Sequence, residues 1–314
     1  MQSLDANANI HLPFPHSDWV ITPLPFAPTA INDAGLIVGN LNHQAVQFQN
    51  GALQVLLEGA PSSEAVDVSS LGAIVGSIGD RAALWFPLPL ILPHPPVGVF
   101  EAAAINKHLA VVGTCGDAKQ AMKWTPSGGW EALPPPHRFS GELPAFAKDI
   151  NDAGFVVGFV DTGFVRDVPP VLWTPDHHAA FHWPGIGIAG DGVHINKHGD
   201  TVIFDNDAGR NVSVLHLDGT VDSFPSIPEL LLSVDGISDE GRIIGTSKVN
   251  GVARAWTFYK HQLHWLDLPG GTPFQPTGVN TCGNIVGRTG ENAGVLFARP
   301  LPSRCDGAGV IRHP

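Results

Sequence analysis

Basic residues are scarce in this 314-residue chain: 17 lysines and arginines stand against 29 acids, a formal charge of −12. Such a surface repels phosphate backbones and anionic lipid, so neither nucleic acid nor a membrane surface is an expected partner. Cysteine is scarcer still. Cys115, Cys282 and Cys305 form no CxxC pair and leave one over from any pairing, which reads as three reduced thiols. The first 19 residues hold neither a basic n-region nor an apolar h-region, and a cytoplasmic protein is expected from that. Long hydrophobic runs are missing too: the longest, Leu84 to Phe100, is broken by Pro87, Pro89, Pro93, His94, Pro95 and Pro96, which rules out a membrane helix. No GxSxG elbow, no GxxxxGK(S/T) loop and no GxGxxG run before a helix occurs. Serine-hydrolase, P-loop and dinucleotide chemistry therefore find no support, and no redox cofactor is expected.

What the chain does have is glycine and proline, 36 and 28 of them, in a background that is 43% hydrophobic. A disordered Gly/Pro tract would lack that apolar content, whereas many tight turns between short buried strands would show both. The length suits two average domains or one large all-β domain. A repeat decides between them. AINDAGLIVG (Ala30–Gly39) recurs as DVSSLGAIVG (Asp67–Gly76), AINKHLAVVG (Ala104–Gly113), DINDAGFVVG (Asp149–Gly158), HINKHGDTVI (His194–Ile203), GISDEGRIIG (Gly236–Gly245) and GVNTCGNIVG (Gly278–Gly287). The first apolar residue of each copy is its anchor: Ile31, Val68, Ile105, Ile150, Ile195, Ile237 and Val279, spaced by 37, 37, 45, 45, 42 and 42 residues. Periods near 40 with strands and Gly turns belong to propeller blades.

Each copy reads as four strands. The first ends at the anchor, and an Asn-Asp-Ala-Gly turn follows, whose Asn, Asp and Gly are expected to tolerate positive φ. The second, such as Leu36–Gly39, is apolar throughout, as in a strand packed on both faces. The third places a small residue three positions before a large one, as in Ala82/Trp85 and Ala253/Trp256, and the large residues are expected to fill the space between blades. The fourth ends near a Leu-Pro or Trp-Pro. The seventh copy runs out after its third strand, while an orphan fourth strand, Trp19–Phe26, precedes the first copy. The fold expected is an all-β, seven-bladed β-propeller of four-stranded blades, one domain over 1–314. Its N-terminal strand (about 18–26) closes the ring, its repeats fill 27–300, and 301–314 is a dispensable tail.

The motif resembles the HAF repeats, whose copies read roughly as a small residue, Ile-Asn-Asp, a Gly, Val-Val-Gly and a later Trp or Phe. The resemblance spans Trp19 to Pro300 and departs at Leu109, which replaces the turn Gly, and at Ile203, which replaces the final Gly. It implies a propeller-like fold and no particular reaction or site residues.

Ligand sites in propellers favour the mouth of the central channel, on the rim shared by the loops from fourth to first and from second to third strands. Just before the anchors stand Ala30, Asp67, Ala104, Asp149, His194, Gly236 and Gly278. Small residues fill four of these places, so Asp67, Asp149 and His194 are the exceptions and the candidate acid–base groups. Around them Glu64, Glu101 and Asp191 lie four places before an anchor, and Lys148 and Asp235 two places before. Crowded carboxylates raise one another's pKa and a nearby His or Lys opposes that, an arrangement suited to proton transfer or to a divalent cation. Channel-lining polar groups also commonly hold only water or neighbouring backbone. No sequence-local ligand motif supports a metal, and His177, His178 and His182 lack a carboxylate or Cys partner. Long insertions around blade four carry Arg138 and Arg166, candidate clamps for a ligand carboxylate or phosphate. The expected function is a small-molecule pocket at the channel mouth, with non-redox chemistry such as a lyase, cyclase or hydrolase. A protein-interaction scaffold is the other reading.

Overall fold

The computed structural model describes residues 19–60, 62–135, 143–163, 168–176, 179–181, 188–205, 211–224 and 230–298. Within them lie seven four-stranded antiparallel sheets and a single 3-10 turn, Pro269–Gly271. The first strands of the seven blades are Ala27–Ile31, Ser63–Val68, Phe100–Ile105, Ala145–Ile150, Ile188–Ile195, Leu230–Ile237 and Gln275–Val279. Each touches the next in chain order and the seventh touches the first, so they enclose a central channel. The chain is a seven-bladed β-propeller.

Val20–Leu24 completes blade seven. It pairs antiparallel with Ala293–Ala298, in a register running from Val20 opposite Ala298 to Leu24 opposite Gly294. The large residues of the third strands fill the gaps between blades. Trp85 packs on Val38 and Ala45 of blade one, Trp173 on Val112 and Ala121 of blade three, and Trp256 on Val202 and Val214 of blade five. Truncating such a buried Trp costs about 3–5 kcal/mol, so these contacts are a principal cohesive force between sheets.

Two features of the repeat acquire their reasons only in three dimensions. First, in six blades the first strand bulges two residues before the anchor; the register of Ala65 and Asp67 skips Val66, and that of Ala147 and Asp149 skips Lys148. The glycine ending the repeat lies beside this bulge. A Cβ on Gly76 would stand 1.8 Å from the Glu64 carbonyl oxygen, and one on Gly158 equally close to that of Phe146. Blade five, where Ile203 takes the glycine's place, shifts its first strand over a longer stretch, between Ile188 and Val193.

Second, the turn asparagines do not adopt the positive φ expected of them; that falls to the glycine, or to Leu109 (φ 62°) in blade three. The asparagine is instead a buried crosslink. Its Oδ1 accepts N–H groups of its own turn, as from Leu36 to Asn32 at 3.0 Å, and its Nδ2 donates to the next blade's turn carbonyl. Asn32 reaches Ser69 (3.0 Å), Asn106 reaches Asn151, Asn151 reaches Asn196 and Asn280 reaches Asn32 (3.1 Å each), and Asn196 reaches Ser238 (3.4 Å). The following aspartate works backwards, accepting from the preceding blade: Lys107 N to Asp152, Lys197 N to Asp239 and Thr281 N to Asp33, at 2.8–2.9 Å.

One expectation fails outright. Cys115 is a free, buried thiol, but Cys282 is disulfide-bonded, so the chain is not uniformly reduced. The proposed tail, 301–314, lies outside the described residues, as do His177 and His178.

A chain beginning at Ala27 should lose cooperative thermal unfolding, because the Ala293–Ala298 strand then becomes an open edge; a melting temperature equal to that of the full chain would remove the closure argument. Asn280→Ala strands the Asn284 N–H and takes one of two donors from the Asn32 carbonyl, which keeps the Gly35 N–H. It should cost about 1–3 kcal/mol for each group left unpaired in urea unfolding.

Candidate functional site

Side chains alternate along a strand, so the residues just before and just after each anchor point the same way, across the seam to the next blade. Asp67 and Asp149 use that direction structurally. Asp67 Oδ2 accepts the N–H of Ile105, the anchor of blade three, at 2.9 Å. Asp149 accepts its own anchor's N–H, Ile150, at 2.7 Å and that of Ile195 in blade five at 3.0 Å. At the seam between blades two and three, where Ser69 is too short to serve as the crosslinking asparagine, Asp67 supplies the crosslink.

The same carboxylates also act electrostatically on one another and on His194. His194 Nδ1 stands 3.7 Å from Asp149 Oδ2, and their side chains keep 29% and 22% of their exposure, enough for water to reach them. Asp67 is pushed up from 3.8 to about 6, first by burial and then by the negative charge of Asp149; the Ile105 and Val68 N–H groups and His194 oppose the rise. Asp235, the bulged residue of blade six, is likewise raised to about 6 by burial, against hydrogen bonds from Ser233 (3.0 Å) and Thr246 (3.4 Å) and the influence of His194. His194 thus lies within electrostatic reach of carboxylates from three other blades.

This cluster is not where it was expected. Asp67 and Asp149 are each fifth in a six-residue first strand, and His194 is seventh of eight, so the trio sits toward the first-to-second-strand turns and the asparagine crosslinks. The opposite rim begins about 10 Å away, three residues up each strand. Glu64 and Glu101 lie there, exposed, with Glu101 3.5 Å from Lys119, and they do not join the trio. Lys148 is the bulged residue of blade four, its ammonium over the Phe159 ring at 5.5 Å. Asp191 lies in the first strand of blade five, with its side chain outside the described residues, and Arg138 and Arg166 are outside them altogether. A cavity of about 630 Å³ lies on the far rim, among blades six, seven and one. Among the described residues no three His, Cys, Asp or Glu side chains are arranged to hold a metal ion, and no helix is long and apolar enough to cross a membrane.

Comparison with solved structures places the architecture. A virginiamycin B lyase from Staphylococcus aureus superposes with a TM-score of 0.65 at 11% identity, over 90% of this chain and 99% of its own. Peptide-bound YCF48 gives 0.57 at 14% identity, over 91% and 98%. A gluconolactonase from Xanthomonas campestris gives 0.50 at 11% identity, over 89% and 98%. At these identities the likeness is one of fold. No protein-family model and no curated protein matches the chain, so the HAF repeats stay a resemblance.

Because Asp67 binds its proton more tightly folded than unfolded, it lowers stability as pH rises from about 4 through about 6. Asp67→Asn keeps an oxygen for the Ile105 N–H and removes the charge. Its melting temperature relative to the parent should therefore climb across that interval, by the equivalent of about 1–3 kcal/mol after solvent screening. A pH-independent difference would show that burial does not perturb Asp67.

Proposed function

We propose that this propeller binds a small molecule in its central channel and carries out non-redox proton-transfer chemistry there, of the lyase, cyclase or hydrolase kind. One observation carries the reading: His194 lies 3.7 Å from Asp149, with Asp67 and Asp235, both raised to about 6, within its influence. Acids and bases work best when their pKa lies near the working pH, and clusters of groups with perturbed pKa values are enriched at such sites. In this scheme His194 takes a proton from the substrate, and the Asp149 carboxylate stabilises the resulting imidazolium. Asp67 or Asp235, holding a proton at mildly acidic pH, returns one to the leaving group. The fold supports this only in that its structural neighbours include a lyase and a lactonase.

Native mass spectrometry of freshly purified chain, followed by a screen of lactone, ester and elimination substrates, tests the proposal. His194→Ala should lower turnover by a factor of about 10²–10⁴. Its melting temperature should stay near the parent's, since no interblade packing rests on it. Destabilisation with turnover untouched would return the cluster to a purely structural role.

A scaffold function rests on a different feature. Blade two's fourth strand, Pro89–Ile91, is exposed along its length, with Leu88 at 76% and Leu90 at 50%, an apolar strip of the kind that marks protein contacts.

A further inference from the structure

The 630 Å³ cavity is a product of unequal blades. Blade six has the longer strands, with Ile243–Val249 and Val252–Tyr259 joined by a tight Asn250-Gly251 turn (φ 50° and 83°). The corresponding strands of blade seven, Ile285–Gly290 and Ala293–Ala298, are six residues each. Blade six therefore stands as a wall beside its neighbour. Across the seam to blade one, the Asn42 N–H donates to Asn292 Oδ1 at 2.8 Å and fixes the turn that bounds the other side. The volume falls in the range of small-molecule sites.

Its lining is chemically specific. Leu232, Pro273 and Phe274 give an apolar wall, and Phe274 is itself held against Phe297, ring centroids 5.0 Å apart. Ser233 and Thr246 also line the cavity, and both commit their hydroxyl protons inward to Asp235 Oδ2. Their oxygens are left to act as acceptors, which favours a ligand rich in hydroxyl donors. Arg288 supplies the charge. Its Nε donates to the Pro28 carbonyl at 3.3 Å, which orients the guanidinium, and it forms no ion pair among the described residues. In a chain with 29 acids and 17 bases, an oriented and unpaired arginine on a cavity wall is an anion site in waiting. Glu291 shares the lining, able to accept ligand hydroxyls while opposing an anion nearby, so the site suits a molecule carrying both kinds of group.

We propose that the cavity bounded by blades six, seven and one is a second ligand site, backing onto the channel cluster at Asp235, that binds a polyhydroxylated carboxylate such as a sugar acid, with Arg288 on the carboxylate and Ser233 and Thr246 on the hydroxyls. The site does not depend on proton transfer at His194.

Calorimetric titration of the full chain at neutral pH and low salt with D-glucuronate and with D-glucose provides the test, since the two differ at the carboxylate alone. Glucuronate should bind at least about tenfold more tightly than glucose, a gap of about 1.4 kcal/mol. Arg288→Gln, at an exposed position, should erase that preference with the melting temperature unchanged. His194→Ala should keep it. Equal affinity for both sugars, no binding of either, or a preference that survives Arg288→Gln overturns the proposal. Loss of glucuronate binding in His194→Ala would place the ligand in the channel and overturn it too.

Discussion

A propeller blade is a sheet with two apolar faces, and nothing in a sheet's own hydrogen bonding tells it how to sit against the next. Apolar packing is non-directional and would tolerate a slide of one blade along another. The bond from each turn asparagine to the next blade's carbonyl fixes that freedom: Asn151 to Asn196 sets the height of blade four against blade five to within a hydrogen bond's tolerance. It gives that buried carbonyl a second donor beside the Gly199 N–H of its own turn. The paired aspartates, working in the opposite direction, lock the same seams from the other side. Five of the seven seams are set in this way, and Asp67 supplies the crosslink between blades two and three.

The bulged first strands follow from the same need. An unbulged strand would alternate its side chains regularly from rim to rim; the extra residue resets the alternation just before the anchor. In blades four and six the residue set apart by the bulge is ionisable, Lys148 and Asp235, and in blades one and seven it is a threonine that hands its hydroxyl to the neighbouring blade, Thr29 to the Ala65 carbonyl and Thr277 to that of Pro28. Structure and candidate chemistry thus share positions. Asp67 and Asp149 hold the next blade's backbone and face the channel with the same carboxylate, which is why fold and site must be separated by experiments that read both stability and turnover.

The fold was legible because its signals are local and repeated. Seven copies of one pattern, a missing fourth strand at one end and a spare at the other leave little room for another topology. The role of the asparagines was not legible, since a turn with Asn-Asp-Ala-Gly has a sufficient local explanation in backbone conformation; the true partner, 37 to 45 residues away, is visible only when blades stand side by side. The candidate trio stands out in the sequence because it breaks a ring of small residues, a signal that marks polar groups whatever their duty. It set the trio at the wrong end of the channel because it tracked position in the repeat and not along the strand. The cavity near Arg288 was not legible because it arises from a difference in strand length between two blades.

The strand that completes blade seven joins the first described residues of the chain to the last, Val20 to Ala298. At ribosomal speeds of about 5–20 residues per second, the N-terminal strand waits roughly 15–60 s for its partner to be made. Over that interval six blades can assemble, but the arc they form has two unsealed ends, one of them a hydrophobic first blade with no neighbour to cover it. Closure is therefore a race against intermolecular pairing, and a nascent arc that meets a second one before its own end emerges has a ready route to a domain-swapped pair.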